Sequence, residues 1–128
     1  MKQIILMLAV VLTISSCKKA DEPQTLLGEW SIDSYTENGL DKTTVHKALY
    51  TNYVLKFDAS NNYIETYQYA GVNTTNAGSW KLTNGGEDFE LTNQVDNTKR
   101  YFHIVELNPS SATVTEDSGA KSYNLRKI

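Results

Sequence analysis

At 128 residues the chain holds at most one domain. Its formal charge of −3, with no basic run longer than Lys18-Lys19 or Lys99-Arg100, argues against a nucleic-acid partner, which requires clustered Lys and Arg. The single cysteine excludes an internal disulfide, and eight tyrosines among many Val, Ile and Thr favour strands over helices.

Met1-Lys2-Gln3 is a short basic start. Ile4 to Thr13 is a nearly unbroken apolar run, long enough for a secretory segment and too short to span a bilayer. Ile14-Ser15-Ser16-Cys17 follows, an aliphatic residue, two small ones and a cysteine, and resembles the lipobox of bacterial lipoproteins. The resemblance implies that residues 1–16 are a lipoprotein signal peptide and that Cys17 is lipidated. The sulfur would carry a diacylglycerol thioether, with a further acyl chain on the new amino terminus in Gram-negative cells. Each buried methylene contributes roughly 0.8 kcal/mol, so two or three chains make a lasting anchor. The expected location is therefore a bacterial membrane, the outer membrane by preference, on its periplasmic or cell-surface face. Residues 17–25 are polar, contain one proline and read as the lipidated terminus and a flexible tether. Asp21-Glu22 either resemble a surface-export signal or are plain linker.

Residues 26–128 read as one domain. Leu26-Leu27-Gly28-Glu29-Trp30-Ser31-Ile32 opens a first strand, about Glu29 to Thr36, in which Trp30, Ile32 and Ser34 alternate with Ser31, Asp33 and Tyr35. Asn38-Gly39 is a turn. Leu40 to Asn52 lacks a strand pattern. Val45, Ala48 and Leu49 there have helical spacing, with Thr43 or Thr44 as N-cap, so the segment is a short helix, a lid-like loop or a plain connection.

The next strand, Tyr53 to Asp58, puts Tyr53, Leu55 and Phe57 on one face. A turn-rich Asp58 to Asn62 then leads into Tyr63 to Ala70, where Tyr63, Glu65, Tyr67 and Tyr69 share a face. Gly71 to Asn76 reads as a polar loop. Further strands cover Gly78–Thr83 with Trp80 and Leu82, Asp88–Thr92 with Phe89 and Leu91, and Arg100–Leu107 with Phe102 and Ile104. The last two are Ala112–Glu116 with Ala112 and Val114, and Lys121–Lys127 with Tyr123 and Leu125. About eight short strands at regular spacing, joined by tight turns, predict an all-β fold: a single antiparallel up-and-down barrel, whose closure removes aggregation-prone edges.

Gly28-Glu29-Trp30 at the head of the first strand resembles the G-x-W signature of lipocalins. Gly78-Ser79-Trp80-Lys81-Leu82 and Tyr123-Asn124-Leu125-Arg126 are similar to segments of lipocalin-like domains in lipoproteins of Gram-negative bacteria. The resemblance covers Leu26 to Ile128. It implies a lipocalin-like barrel in which Trp30 caps the closed end and Arg126 packs across it, an arrangement worth roughly 0.5–2 kcal/mol. The chain is shorter than full-length lipocalins and lacks their disulfides and long C-terminal helix, which puts a roomy ligand cup in doubt.

No catalytic group is predicted. His46 and His103 lack metal-ligand spacing, and His103 alternates with Phe102 and Ile104 toward an outward or rim position. Neither a nucleophile elbow nor a glycine-rich phosphate loop is present, and no cofactor is expected. Asp88, Glu106 and Glu116 read as solvated faces. Glu65 differs because its face carries tyrosines. If that face points inward, a carboxylate sits among phenols; if outward, it is an aromatic patch suited to protein contact. The inward reading is preferred because Tyr63 follows a hairpin that leaves Phe57 on the same face.

Tyr53, Phe57, Tyr63, Glu65, Tyr67, Trp80 and Phe102 are thus the candidate lining of an interior for a small hydrophobic or aromatic ligand that enters near Leu40–Asn52. The alternative is a non-catalytic structural or protein-interaction lipoprotein whose barrel is filled by its own side chains.

Overall fold

The structure is a computed structural model that describes residues 25–128. The export segment, Cys17 and the tether up to residue 24 lie outside the described residues. Alternation of apolar and polar side chains makes strands of β1 (Gly28–Glu37), β3 (Tyr50–Phe57), β4 (Asn62–Tyr69), β5 (Val72–Thr83), β6 (Asp88–Asn93), β7 (Lys99–Leu107), β8 (Ser111–Glu116) and β9 (Lys121–Lys127). A two-residue strand, β2 (Leu40–Asp41), hooks onto the end of β1, and a short helix, α1 (Thr43–Leu49), precedes β3. β2 aside, each strand pairs antiparallel with the next, and β9 returns to β1 over Trp30–Glu37, so eight strands close an up-and-down barrel. The predicted fold is the observed one.

Three details depart from the sequence reading. Residues 71–76 are not a loop: the chain turns on Ala70 and Gly71, both at positive φ, and β5 pairs with β4 from Val72 onward. Asn73, Thr74, Thr75 and Asn76 hide the strand because neither of its faces is apolar. β1 carries a bulge between Ile32 and Ser34. The extra residue shifts the alternation, so Tyr35, 7% exposed, turns inward where Ser34 was expected. A second bulge between Thr51 and Val54 in β3 lets both Tyr50 and Tyr53 reach the interior side.

The core fills one end of the barrel. Trp30, Phe57, Phe89, Leu91 and Val114 are fully buried, with Tyr63, Trp80 and Phe102 packed among them. Phe57 meets Trp80 and Phe89 edge-on, and Phe89 stacks on Phe102 at 4.7 Å. Trp30 seals the bottom and donates Nε1–H to the Leu26 carbonyl at 2.8 Å.

The cation over Trp30 is Lys127, with Nζ 4.8 Å from the ring centroid, and not Arg126. In β9 the inner face is Tyr123, Leu125 and Lys127, so Arg126 points outward to Asp33 at 3.7 Å. Gly28 makes room for this lysine. Its φ is +117°, and a Cβ there would lie 2.7 Å from Lys127 Cε.

Candidate ligand site at the open end of the barrel

Opposite Trp30 the interior opens into a cavity of about 250 Å³. Beneath it, among Leu55, Leu91, Phe102 and Leu125, the remaining hollow is only about 20 Å³. One water fits in such a space and a ligand does not. The barrel is therefore an aromatic plug below and a polar basin above.

The floor of the basin is a charged cluster. Glu65 from β4 and Glu116 from β8 are 5% and 9% exposed. Arg100, projecting from β7 between them, donates from Nε and Nη2 to the two Glu116 oxygens at 2.8 and 2.9 Å, and from Nη1 to Glu65 at 3.5 Å. Tyr53 donates its hydroxyl to Glu65, and Asn76 donates to it at 3.0 Å. Tyr123 donates to Glu116 at 3.1 Å. Each buried carboxylate oxygen thus has a donor, which is what allows two acids to sit inside a barrel.

Electrostatics hold the two phenols and the guanidinium in fixed states. Burial pushes the Tyr53 phenol well above its ordinary pKa, and the adjacent Glu65 adds to the rise. Burial, then the charge of Glu116, does the same to Tyr123. Both phenols remain neutral donors. Burial works against the Arg100 charge, but the hydrogen bonds and charge of Glu116, followed by Glu65, outweigh it and raise its pKa. The guanidinium also lies 4.9 Å above the Phe102 ring, so the plug supports the floor directly.

Rings form the walls. Tyr53 stacks on Tyr67 at 5.8 Å, and Tyr50 stands at 61° to Tyr67 with centroids 5.2 Å apart. His46 of α1 stacks on Tyr50 and leans on Tyr35, each at 4.4 Å. Burial lowers the His46 pKa, and the charge of Glu37 opposes that shift.

α1 is a true helix, but Val45 and Leu49, its predicted apolar face, are solvent-exposed, and His46 is the residue that turns toward the barrel. Neither Thr43 nor Thr44 occupies the N-cap position; Lys42 does, without a side-chain cap. Asp41 accepts instead from the Thr43 backbone N–H and hydroxyl, at 2.9 and 2.6 Å. Thr43 Oγ1 in turn accepts from the Tyr35 N–H at 3.0 Å and pins the helix to β1. Beside α1, β1 pairs with β3 only at Gly28–Trp30. A second hollow of about 570 Å³ opens at this seam and shares Ile32, His46, Tyr50 and Tyr53 with the basin, giving it a side approach.

Of the predicted lining residues, Tyr53, Glu65 and Tyr67 border the basin. Phe102 lies under its floor, and Phe57, Tyr63 and Trp80 belong to the plug and do not reach it. Ile32, His46, Tyr50, Asn76, Arg100, Glu116, Lys121 and Tyr123 complete the lining. Glu116 is not a solvated acid. It continues the inner face of Ala112 and Val114, a period-two signal already present in the sequence. Arg100 likewise precedes Phe102 and Ile104 on the inner face of β7.

The family model of the lipocalin-like domain matches residues 26–114. No curated protein matches the chain. The matched span takes in most of the barrel, from the G-x-W strand through to β8, and on that ground the chain belongs to the lipocalin-like domain family.

Proposed function

We propose that this chain is a membrane-anchored, non-catalytic binding lipoprotein whose barrel mouth holds a small ligand with a ring and a polar end. The observation that carries the reading is the basin of about 250 Å³, walled by Tyr50, Tyr53, Tyr67, Tyr123 and His46 over a fully hydrogen-bonded floor. Concave sites with aromatic walls and a few convergent polar groups are the usual form of small-molecule sites. Because the apolar half of the barrel interior is already filled, a purely hydrophobic ligand has no space inside it, and ligand polarity becomes part of the reading.

Anchoring on Cys17 fits the same geometry. Leu26, close to the start of the described residues, packs at the Trp30 end, so the anchored segment joins the barrel at the plug and not at the mouth. A Cys17→Ser chain should leave the membrane fraction and lose its lipid label; a lipid-labelled, membrane-bound variant would refute the anchor.

The binding test is nuclear magnetic resonance with a panel of small aromatic compounds. Shifts confined to the rings of Tyr50, Tyr53, Tyr67 and Tyr123 are expected. Tryptophan fluorescence is the wrong reporter, since Trp30 and Trp80 both lie in the plug. If no compound moves those rings, the second reading applies. That reading is a side-chain-filled barrel serving protein contact, and the sealed lower half favours it.

A further inference from the structure

We propose that the ligand of the mouth is a small organic cation, an ammonium carried on or beside a ring; this rests on the basin being a binding site. Two observations carry it, one of charge and one of donors.

The floor sets two buried carboxylates, Glu65 and Glu116, against one guanidinium, Arg100. Lys121 reaches the same cavity, but its ammonium is engaged by Asp117 at 3.4 Å on the rim. Glu37, beside Tyr35, adds a further acid at the rim. The four charged side chains that line the basin, Glu65, Glu116, Arg100 and Lys121, balance, and the rim acids Asp117 and Glu37 tip the mouth toward negative charge, which attracts a cation.

The donors of the floor are turned first to its own acids, with one further N–H left on each of Nη1 and Nη2 of Arg100. Arg100 gives Nε and Nη2 to Glu116 and Nη1 to Glu65, and the Tyr53 and Tyr123 hydroxyls point at the same two acids. A carboxylate or phosphate ligand would lie against two buried carboxylates and could only share Arg100 with them. An ammonium meets the reverse. Glu65 Oε1 accepts from Asn76 alone among the described residues and keeps room for one more N–H. The inclined rings of Tyr50, Tyr53 and Tyr67 offer the π faces that organic cations prefer.

The experiment is calorimetric titration of the full chain with three compounds that share a ring and differ in charge: benzylamine, benzyl alcohol and benzoate. Benzylamine should bind about tenfold tighter than the alcohol, with benzoate weaker than both. The preference should shrink as salt is raised. Glu65→Gln, which keeps the size of the side chain, should reduce the ratio of benzylamine to alcohol affinity several-fold. Should that variant fail to fold, Tyr67→Leu removes a wall without touching the floor and should reduce the same ratio. Benzoate binding as tightly as benzylamine, or equal affinities for amine and alcohol, would overturn the cation assignment and leave the mouth site standing. Binding of none of the three, with no shift of the mouth tyrosines, would remove the site itself.

Discussion

Replacing Phe102 with alanine tests the division of the barrel into plug and basin. Phe102 is 6% exposed, stacks on Phe89 at 4.7 Å with planes 10° apart, and carries the Arg100 guanidinium on its other face. It lines the hollow of about 20 Å³ beneath the charged floor. Deleting the ring removes on the order of 100 Å³, and at about 24 cal/mol per Å³ an unrelaxed hole alone costs roughly 2.4 kcal/mol. The lost transfer energy of the ring brings the total to about 3–5 kcal/mol. A small domain has about 5–15 kcal/mol in hand, so the variant should fold but unfold at distinctly lower urea. It should also acquire a site: an apolar hole of this size stays dry and accepts benzene. Urea denaturation gives the first number, and calorimetric titration with benzene gives the second. An unchanged midpoint, or wild-type protein that already binds benzene as well as the variant does, would show that the interior is not plugged.

Trp30→Ala should cost about 3–5 kcal/mol, because the indole is wholly buried and bonded to Leu26, whereas Arg126→Ala should stay within about 0.5 kcal/mol; similar denaturant midpoints for the two would refute the placement of Lys127, and not Arg126, over the cap. Gly78→Ala should cost about 3 kcal/mol or more, since its Cβ would come 1.8 Å from the Thr92 carbonyl oxygen in the neighbouring strand; an unaltered melting temperature would contradict that clash. His46 has a pKa lowered by burial, so as pH falls through the ordinary histidine range the unfolded chain takes up the proton first and stability drops. Thermal melts should show that drop in wild type and a smaller one in His46→Gln; equal drops would mean His46 is not held in the mouth.

The barrel and its strand order were legible because alternation and turn residues act locally. Trp30, Phe57, Phe89 and Leu125 sit where a period of two puts them. The failures come from events that a period cannot carry. The bulge at Asp33 reverses the face of everything after it in β1, and only the register against β9 reveals it. Arg126 was assigned to the cap by resemblance, although alternation from Tyr123 and Leu125 already pointed to Lys127. Glu116 and Arg100 are a different case. Alternation puts Glu116 with Ala112 and Val114 and Arg100 with Phe102 and Ile104, and the β7–β8 hairpin sets the two side by side. What no single hairpin shows is Glu65, which reaches the same Arg100 from β4 across the barrel.

The same irregularities that defeated the alternation build the site. The bulge of β1 turns Tyr35 inward, and that of β3 brings Tyr50 and Tyr53 to the same end. Both disturbances lie above the three residues where β1 and β3 pair, so the seam between them parts at the mouth and nowhere below. α1 covers the parted seam and delivers His46 onto Tyr50. Below the mouth the strands stay paired, even where β7 has its own bulge between Ile104 and Glu106, and their inward residues pack to a hollow of about 20 Å³. Stability and recognition are thereby assigned to opposite ends of one short barrel: continuous pairing around apolar rings below, and a parted seam around shared charges above. The two halves meet where Arg100, held by Glu65 and Glu116 above, rests on the Phe102 ring of the plug below, so a ligand that shifts the floor reaches the core through that contact.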